Sequence, residues 1–250
     1  MSGTPLLSIK KIGVIGYGMF GKFLCNELLK GLKVTVYSPH FRKAQTEARI
    51  NFVKTLKELV KNADLIIPAV PISKFEEVIR KMLPYLKENS IVMDVCSVKS
   101  YPVQIMQKLL PKSIQKIATH PMFGPSAFNM KGKVSGLPVV MYNAGCKEEI
   151  YMEVKKYFAE IGLQVTEISP SEHDILAARS QFFSQLIRKS AQMQDIRPTF
   201  IDTPGASALF ESFNLMNISD DLLIDMSNYN IYAKKVLEDT IQSLIEIRAL

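Results

Sequence analysis

Three histidines are spread over the 250 residues, and one of them, His120, stands in THPMFGP (119–125), directly before Pro121 and four residues ahead of Gly124. It closes an apolar stretch with strand character, QKIAT (115–119). A neighbouring stretch of the same kind, SIVMDVC (90–96), runs into Ser97 of DVCSVKS (94–100). In open parallel sheets the crevice beyond the carboxyl ends of the strands receives ligands, so an imidazole and a hydroxyl on adjacent strand ends can meet at one ligand oxygen. A neutral imidazole there takes up a proton near neutral pH, and a hydroxyl steadies the same oxygen. A lone histidine is more often a satisfied structural residue, but sharing the rim with Ser97 raises the acid–base reading above that background. Pro121 fixes the turn that follows and helps to aim the ring.

A second chemical motif lies near the N-terminus, Gly16-Tyr17-Gly18-Met19-Phe20-Gly21. Its three glycines have the dinucleotide-binding spacing: one for a tight turn, one to let the backbone approach a pyrophosphate, one for close helix–strand contact. The run follows an apolar strand and opens a helix, which is the context that lends the spacing weight. An enzyme selective for NAD places an acid at the end of the second strand to hold the ribose 2'-hydroxyl. Here the chain reads Ser38-Pro39-His40-Phe41-Arg42-Lys43, with no acid. NADP is therefore the favoured cofactor, with NAD possible, Ser38 and Arg42 the expected contacts, and His40 and Lys43 secondary ones. The competing reading is that Arg42 and Lys43 only solvate the next helix. Val70 and Pro71, closing the strand at 63–70, complete the expected cofactor contacts.

These residues need a scaffold that brings strand ends together, and the patterning supplies one. Apolar strands are expected at 10–18, 32–38, 63–70, 90–96, 115–119, 137–142 and 163–168, with a helix over 19–31, another over 147–162, and helix-like or loop segments between the others. Strand–helix alternation calls for a doubly wound, mostly parallel sheet with helices on both faces, an α/β unit of the Rossmann type. After Ser169 the period changes to helical throughout: a long helix over 169–193 opened by a capping box from Ser171 to Asp174, a helix after Pro204-Gly205, and apolar residues at helical spacing from about Asp220 to Leu250. The division is thus a nucleotide-binding domain at 1–169 and an all-helical domain at 170–250. The helical tail is too small to bury its apolar faces alone and is expected to pack on the first domain and on a second copy of itself.

Composition narrows the class. The net charge of +7 comes from lysines interleaved with acids, a solvated surface that steers anionic cofactors and substrates rather than a nucleic-acid face. No stretch approaches the roughly 20 apolar residues of a membrane span. Three widely spaced cysteines, Cys25, Cys96 and Cys146, fit reduced thiols and offer no metal-ligand spacing, and MSGTPLLSIKK lacks the features of a secretory signal; a cytoplasmic protein is expected.

Taken in order, GYGMFG, DVCSVKS, THPMFGP, GLPVV, SEHDILAARSQF and IDTPG resemble the prephenate and arogenate dehydrogenases of tyrosine biosynthesis, most of all the plant-type arogenate branch. The resemblance implies oxidative decarboxylation of arogenate or prephenate to tyrosine or 4-hydroxyphenylpyruvate, with His120 as proton acceptor, Ser97 hydrogen-bonding the same hydroxyl, and a homodimer built through the helical domain. Arg179, Gln181 and Gln185 on the long helix are the candidates to hold substrate, Gln181 and Gln185 four residues apart on one face. Arg188 and Lys189 are read as solvent-facing. His173 and Asp174 match the family's His-Asp element, with helix capping and packing at the domain junction as their structural alternatives. The chain departs from the pattern at Gln185, where a histidine is usual, at Ser126-Ala127-Phe128 in place of Glu-Ser-Gly, and at Pro204 in place of Lys. Two rivals share the glycines: a non-catalytic NADP-binding sensor, and another two-domain NADP-linked reductase with its catalytic Lys or Asp on the helical domain.

Overall fold

Continuous apolar runs can be buried on both faces only inside a sheet covered on both sides. A computed structural model, describing residues 8–39, 50–215 and 218–250, forms that sheet. Its strands are β1 (Ile12–Ile15), β2 (Val34–Tyr37), β3 (Ile50–Phe52), β4 (Leu65–Pro68), β5 (Ile91–Asp94), β6 (Gln115–Pro121), β7 (Pro138–Asn143) and β8 (Gln164–Glu167), in the order β3-β2-β1-β4-β5-β6-β7-β8. Pairing is parallel throughout except between β6 and β7, so β1, β4, β5 and β6 all end on one edge. The expected doubly wound Rossmann-type sheet is what forms. The edge strand β3 was not foreseen, because three residues with only one alternation carry no readable period.

Side chains alternate between the two faces. Leu65 and Ile67 of β4 and Ile91 and Met93 of β5 join one apolar core, whereas Ile66 and Val92 join the other. The first core is closed by α1 (Met19–Phe23), which continues as a π turn through Leu24–Leu28, and by α6 (Glu148–Glu160), through Tyr151, Val154, Tyr157 and Phe158. The second is closed by α2 (Leu56–Asn62), α3 (Ile72–Met82) and α4 (Ser100–Leu109). The short α5 (Pro125–Lys131) follows β6.

Beyond the sheet come α7 (Pro170–Ala177), a π turn at Ala178–Phe182, α8 (Phe183–Met193), α9 (Pro204–Leu215), α10 (Asp220–Tyr229) and α11 (Ala233–Arg248). The expected helix over 169–193 exists but changes register at its middle. Its cap differs too. Ser169, not Ser171, is the N-cap, its side chain accepting from the Glu172 N–H at 3.2 Å, because Asp174 is engaged elsewhere. The helical core is small: Phe182, Met226 and Ala233 are buried, with Leu186, Leu222, Leu223, Val236 and Leu237 packed around them.

So small a core must lean on the sheet domain, and polar contacts fix how. The N-cap of α3 is Pro71, which has no side-chain acceptor for the free N–H groups of the first turn. Asp225 of α10 supplies one: its Oδ2 accepts from both the Ser73 N–H and the Ser73 Oγ, each at 3.1 Å, and its charge suits a helix N-terminus. Asp225→Ala is expected to lower stability by about 1 kcal/mol, since the first turn of α3 loses its capping acceptor, and Asp225→Asn to recover part of it; the urea midpoint measures both.

Candidate active site

Four strand ends and one helix build the site. After β1, the Gly16 N–H donates to the Tyr37 carbonyl at 2.8 Å, and the backbone turns with φ +100°, a conformation that glycine adopts freely. A Cβ on Gly16 would lie 2.3 Å from the Ala69 carbonyl oxygen, and one on Gly21 would lie 2.4 Å from that of Gly16, so both glycines are required by close backbone packing. Gly18 differs. It is the N-cap of α1, with ordinary extended dihedrals, and a Cβ there would meet nothing within 4 Å. The space beside Gly18 is open at the N-terminus of α1, which leaves room for a pyrophosphate to approach the backbone.

The other expected cofactor contacts divide. Val70 lies against the loop, its Cγ1 3.2 Å from a Cβ on Gly16. Pro71 is exposed at the start of α3, and Ser38 is half-buried just past β2. Met19 is exposed. Tyr17 packs edge-on against Phe52 at 5.0 Å, and Phe20 against Phe23 at 6.1 Å, so both take part in the scaffold of the loop. His40, Arg42 and Lys43 lie outside the described residues.

Ser97 and His120 stand on the same edge of the sheet. Asp94 pairs with Ala118 in the β5–β6 register, so Ser97 is three residues beyond that pair and His120 two beyond it. Ser97 is half-buried, whereas His120 is only 2% exposed. Beneath them runs a buried polar network. The Lys99 ammonium, 0% exposed, donates to Asp94 Oδ1 and to the Thr119 carbonyl. Asp94 Oδ1 also accepts from the Cys96 N–H at 2.9 Å, its Oδ2 from the Thr119 N–H at 3.3 Å, and its carbonyl from Thr119 Oγ1 at 2.6 Å. Burial raises the Asp94 pKa, and the Lys99 charge and these donors oppose it. Lys99 and Thr119 therefore lock the Ser97 turn to the residue before His120.

The helical segment completes the site. His120 Nδ1 lies 2.8 Å from His173 Nε2, and His173 Nδ1 lies 2.8 Å from Asp174 Oδ1. Asp174 in turn accepts from the Lys99 N–H at 2.7 Å and the Ser100 N–H at 2.8 Å, at the start of α4, and its carbonyl takes the Asn230 amide at 2.8 Å. Burial pushes the Asp174 pKa up, but hydrogen bonds from His173, Ser100 and Lys99 outweigh it and hold the carboxyl below its usual range. Burial, then the neighbouring His173 and Lys99, drives the His120 pKa well below 6.5, so the imidazole is neutral and able to accept a proton. Cys96, beside the network, has its thiol pushed far up by burial and stays protonated.

The expected substrate face on the long helix is only partly assembled. The π turn replaces the four-residue repeat, so Gln181 and Gln185 do not present equally: Gln185 is buried and Gln181 half-buried. Arg188 Nε donates to Gln185 Oε1 at 2.9 Å and its Nη2 to the Ile218 carbonyl at 3.3 Å, so Arg188 is a structural tie and not the solvated residue expected. Lys189 pairs with Asp220 at 2.7 Å. Gln181 Oε1 is buried without a hydrogen-bond partner among the described residues. Arg179 is exposed, away from the face that buries Ala178 and Phe182. Sequence reading missed Lys99 and Asp94, and weighed His173 and Asp174 only as a match to the family's His-Asp element with capping and packing as alternatives. An acid and a lysine five apart in an apolar strand end, and a His-Asp pair opening a helix, were the available signals. Among the described residues no cluster of His, Cys, Asp and Glu could hold a metal, and no helix is long and apolar enough to cross a membrane.

Residues 25–166, more than half of the chain, match the family model of the prephenate dehydrogenase nucleotide-binding domain; the match begins just after the glycine loop. Arogenate dehydrogenase 2, chloroplastic, of Arabidopsis thaliana is 29% identical over 92% of this chain and 67% of its own length. Arogenate dehydrogenase 1, chloroplastic, of the same plant is 29% identical over 91% of this chain, which spans only 37% of it. Among solved structures, prephenate dehydrogenase from A. aeolicus in complex with hydroxyphenyl propionate and NAD+ superposes with a TM-score of 0.74 at 20% identity, covering 98% of this chain and 91% of that one. Synechocystis arogenate dehydrogenase gives a TM-score of 0.68 at 20% identity, with 96% and 91% covered. The chain belongs to the prephenate dehydrogenase family through its nucleotide-binding domain.

Proposed function

We propose that the protein catalyses NADP-dependent oxidative decarboxylation of arogenate or prephenate, giving tyrosine or 4-hydroxyphenylpyruvate. The observation that carries this reading is the position of His120, buried at a strand end with Nδ1 2.8 Å from His173 Nε2, which leaves Nε2 as the ring nitrogen for substrate; burial lowers the ring's pKa and so favours its neutral form. A bound nicotinamide dinucleotide supplies the hydride acceptor for C4 of the cyclohexadienol. Nε2 of His120 takes the C4 hydroxyl proton, and Ser97 hydrogen-bonds the same oxygen. Loss of the carboxylate then aromatises the ring. Gly16, Gly18 and Gly21 hold the backbone where a pyrophosphate would sit.

The preference for NADP rests on the missing acid after β2, where Ser38 and Pro39 stand, and on Arg42 beyond it. The lean to arogenate rests on the resemblance to the plant-type branch and is supported by the similarity to the Arabidopsis thaliana arogenate dehydrogenases. Exposed Ile241, Leu244, Ile245 and Ile247 on α11, with Phe200 and Ile201 before α9, support a homodimer through the helices, for which the boundary at 169/170 is the natural division. The reduced cysteines support a cytoplasmic site of action.

Absorbance of the reduced nicotinamide, with arogenate and prephenate each offered with NADP and NAD, tests the activity. Turnover is expected with a higher kcat/KM for NADP, and His120→Asn is expected to lower kcat/KM about 10³-fold; silence in all four pairings would overturn the reading in favour of a non-catalytic NADP binder. Gly18→Ala adds a Cβ that meets nothing within 4 Å, so its unfolding midpoint should stay close to wild type while affinity for NADPH, read by fluorescence, falls tenfold or more, about 1.4 kcal/mol. Sedimentation should give twice the chain mass of 28.2 kDa.

A further inference from the structure

Resting on the role proposed for His120, we propose that the proton taken from the substrate does not stay on that ring but passes on to His173, which with Asp174 forms a proton store one residue deeper in the protein. Hydrogen-bond bookkeeping leads there. Every contact of the Asp174 carboxylate is a donor: the Lys99 N–H, the Ser100 N–H and His173 Nδ1. His173 therefore carries its hydrogen on Nδ1, and when neutral its Nε2 holds a lone pair. That lone pair faces His120 Nδ1 at 2.8 Å, so Nδ1 of His120 must be the donor and Nε2 the free base. The two contacts together select one tautomer for each ring.

The same contacts decide where a positive charge can rest. An imidazolium at His120 would be buried, next to the Lys99 ammonium that Asp94 holds, and in contact with no carboxylate. An imidazolium at His173 lies 2.8 Å from the ionised Asp174. The charged or titratable neighbours are thus His173 and Lys99 for His120, Asp174 and His120 for His173, and Asp94 with the protonated Cys96 for Lys99. As the substrate O–H breaks, an N–H bond forms at His120 Nε2; the His120 Nδ1–H then breaks and an N–H forms at His173 Nε2. His120 ends neutral with its hydrogen on Nε2, His173 ends as the imidazolium, and no electrons are exchanged in the transfer. His173 is a positioning residue in the free enzyme and the acceptor of the relayed proton during turnover.

The test reads the rings directly. The chain has only His40, His120 and His173, so long-range proton–nitrogen correlation spectra of uniformly nitrogen-15-labelled full-length protein are assignable with His40→Gln and His120→Gln. At neutral pH both His120 and His173 are expected as Nδ1–H tautomers. On acidification the pair titrates as a unit, with His173 becoming the imidazolium while His120 converts to the Nε2–H form. Appearance of the imidazolium at His120 first, or His173 in the Nε2–H form at neutral pH, would overturn the proposal whatever the substrate is. In turnover assays His173→Gln should lower kcat about 10²-fold with KM and NADPH affinity within twofold and a displaced acid limb of the pH profile. Unchanged kcat and pH profile would also sink the relay. If wild type turns over neither substrate, the functional reading fails, and the spectra still decide the relay.

Discussion

One buried carboxylate organises the site. Asp174 sits at the N-terminus of α4 and there accepts two backbone N–H groups that a helix leaves unpaired. An anion is favoured at that end of a helix, and burial without such donors would be costly. Because Asp174 belongs to the first helix after the sheet, this contact draws α7 onto the carboxyl edge of the strands, and the adjacent residue, His173, is carried into reach of His120. The Asn230 amide on the Asp174 carbonyl ties the end of α10 to the same point.

A second buried charge supports the first. Lys99 contributes its backbone N–H to Asp174 and its ammonium to Asp94 and the Thr119 carbonyl. A buried ion pair is weak as a source of stability, because desolvating both charges offsets much of their attraction. Its value here is directional: one side chain spans the ends of β5 and β6, so the turn bearing Ser97 and the strand bearing His120 cannot shift independently. The charge also acts at a distance, since an ammonium beneath His120 disfavours an imidazolium on that ring.

Topology brings the candidate residues together. With β1, β4, β5 and β6 parallel and adjacent, the glycine loop, Val70, Ser97 and His120 necessarily end on one edge. The two halves of the chain then meet across polar contacts, Asp225 on α3 and Asp174 on α4, while among the described residues the helical core is built on buried Phe182, Met226 and Ala233. Leu222 and Tyr229 of α10 also pack on the sheet domain's second core, with the Tyr229 ring 4.5 Å from that of Tyr101, so polar and apolar contacts together seat the helices.

The sequence by itself determined the sheet, most of its strands, the glycine loop and the placement of Ser97 and His120 on neighbouring strand ends. Each is a local pattern: a period of two or a continuous apolar run, a spacing of glycines, a residue's offset from the end of its strand. Strand β3 escaped because three residues do not make a pattern, and the helix at 169–193 hid its π turn because composition does not record a change from four-residue to five-residue hydrogen bonding. Only the tertiary structure decided that Asp174 caps a helix 74 residues away, that Asp225 reaches Ser73, and that His173 touches His120 across 53 residues. Such contacts depend on how finished elements pack against one another, and a buried polar group takes whichever partner that packing brings near, which no local spacing specifies.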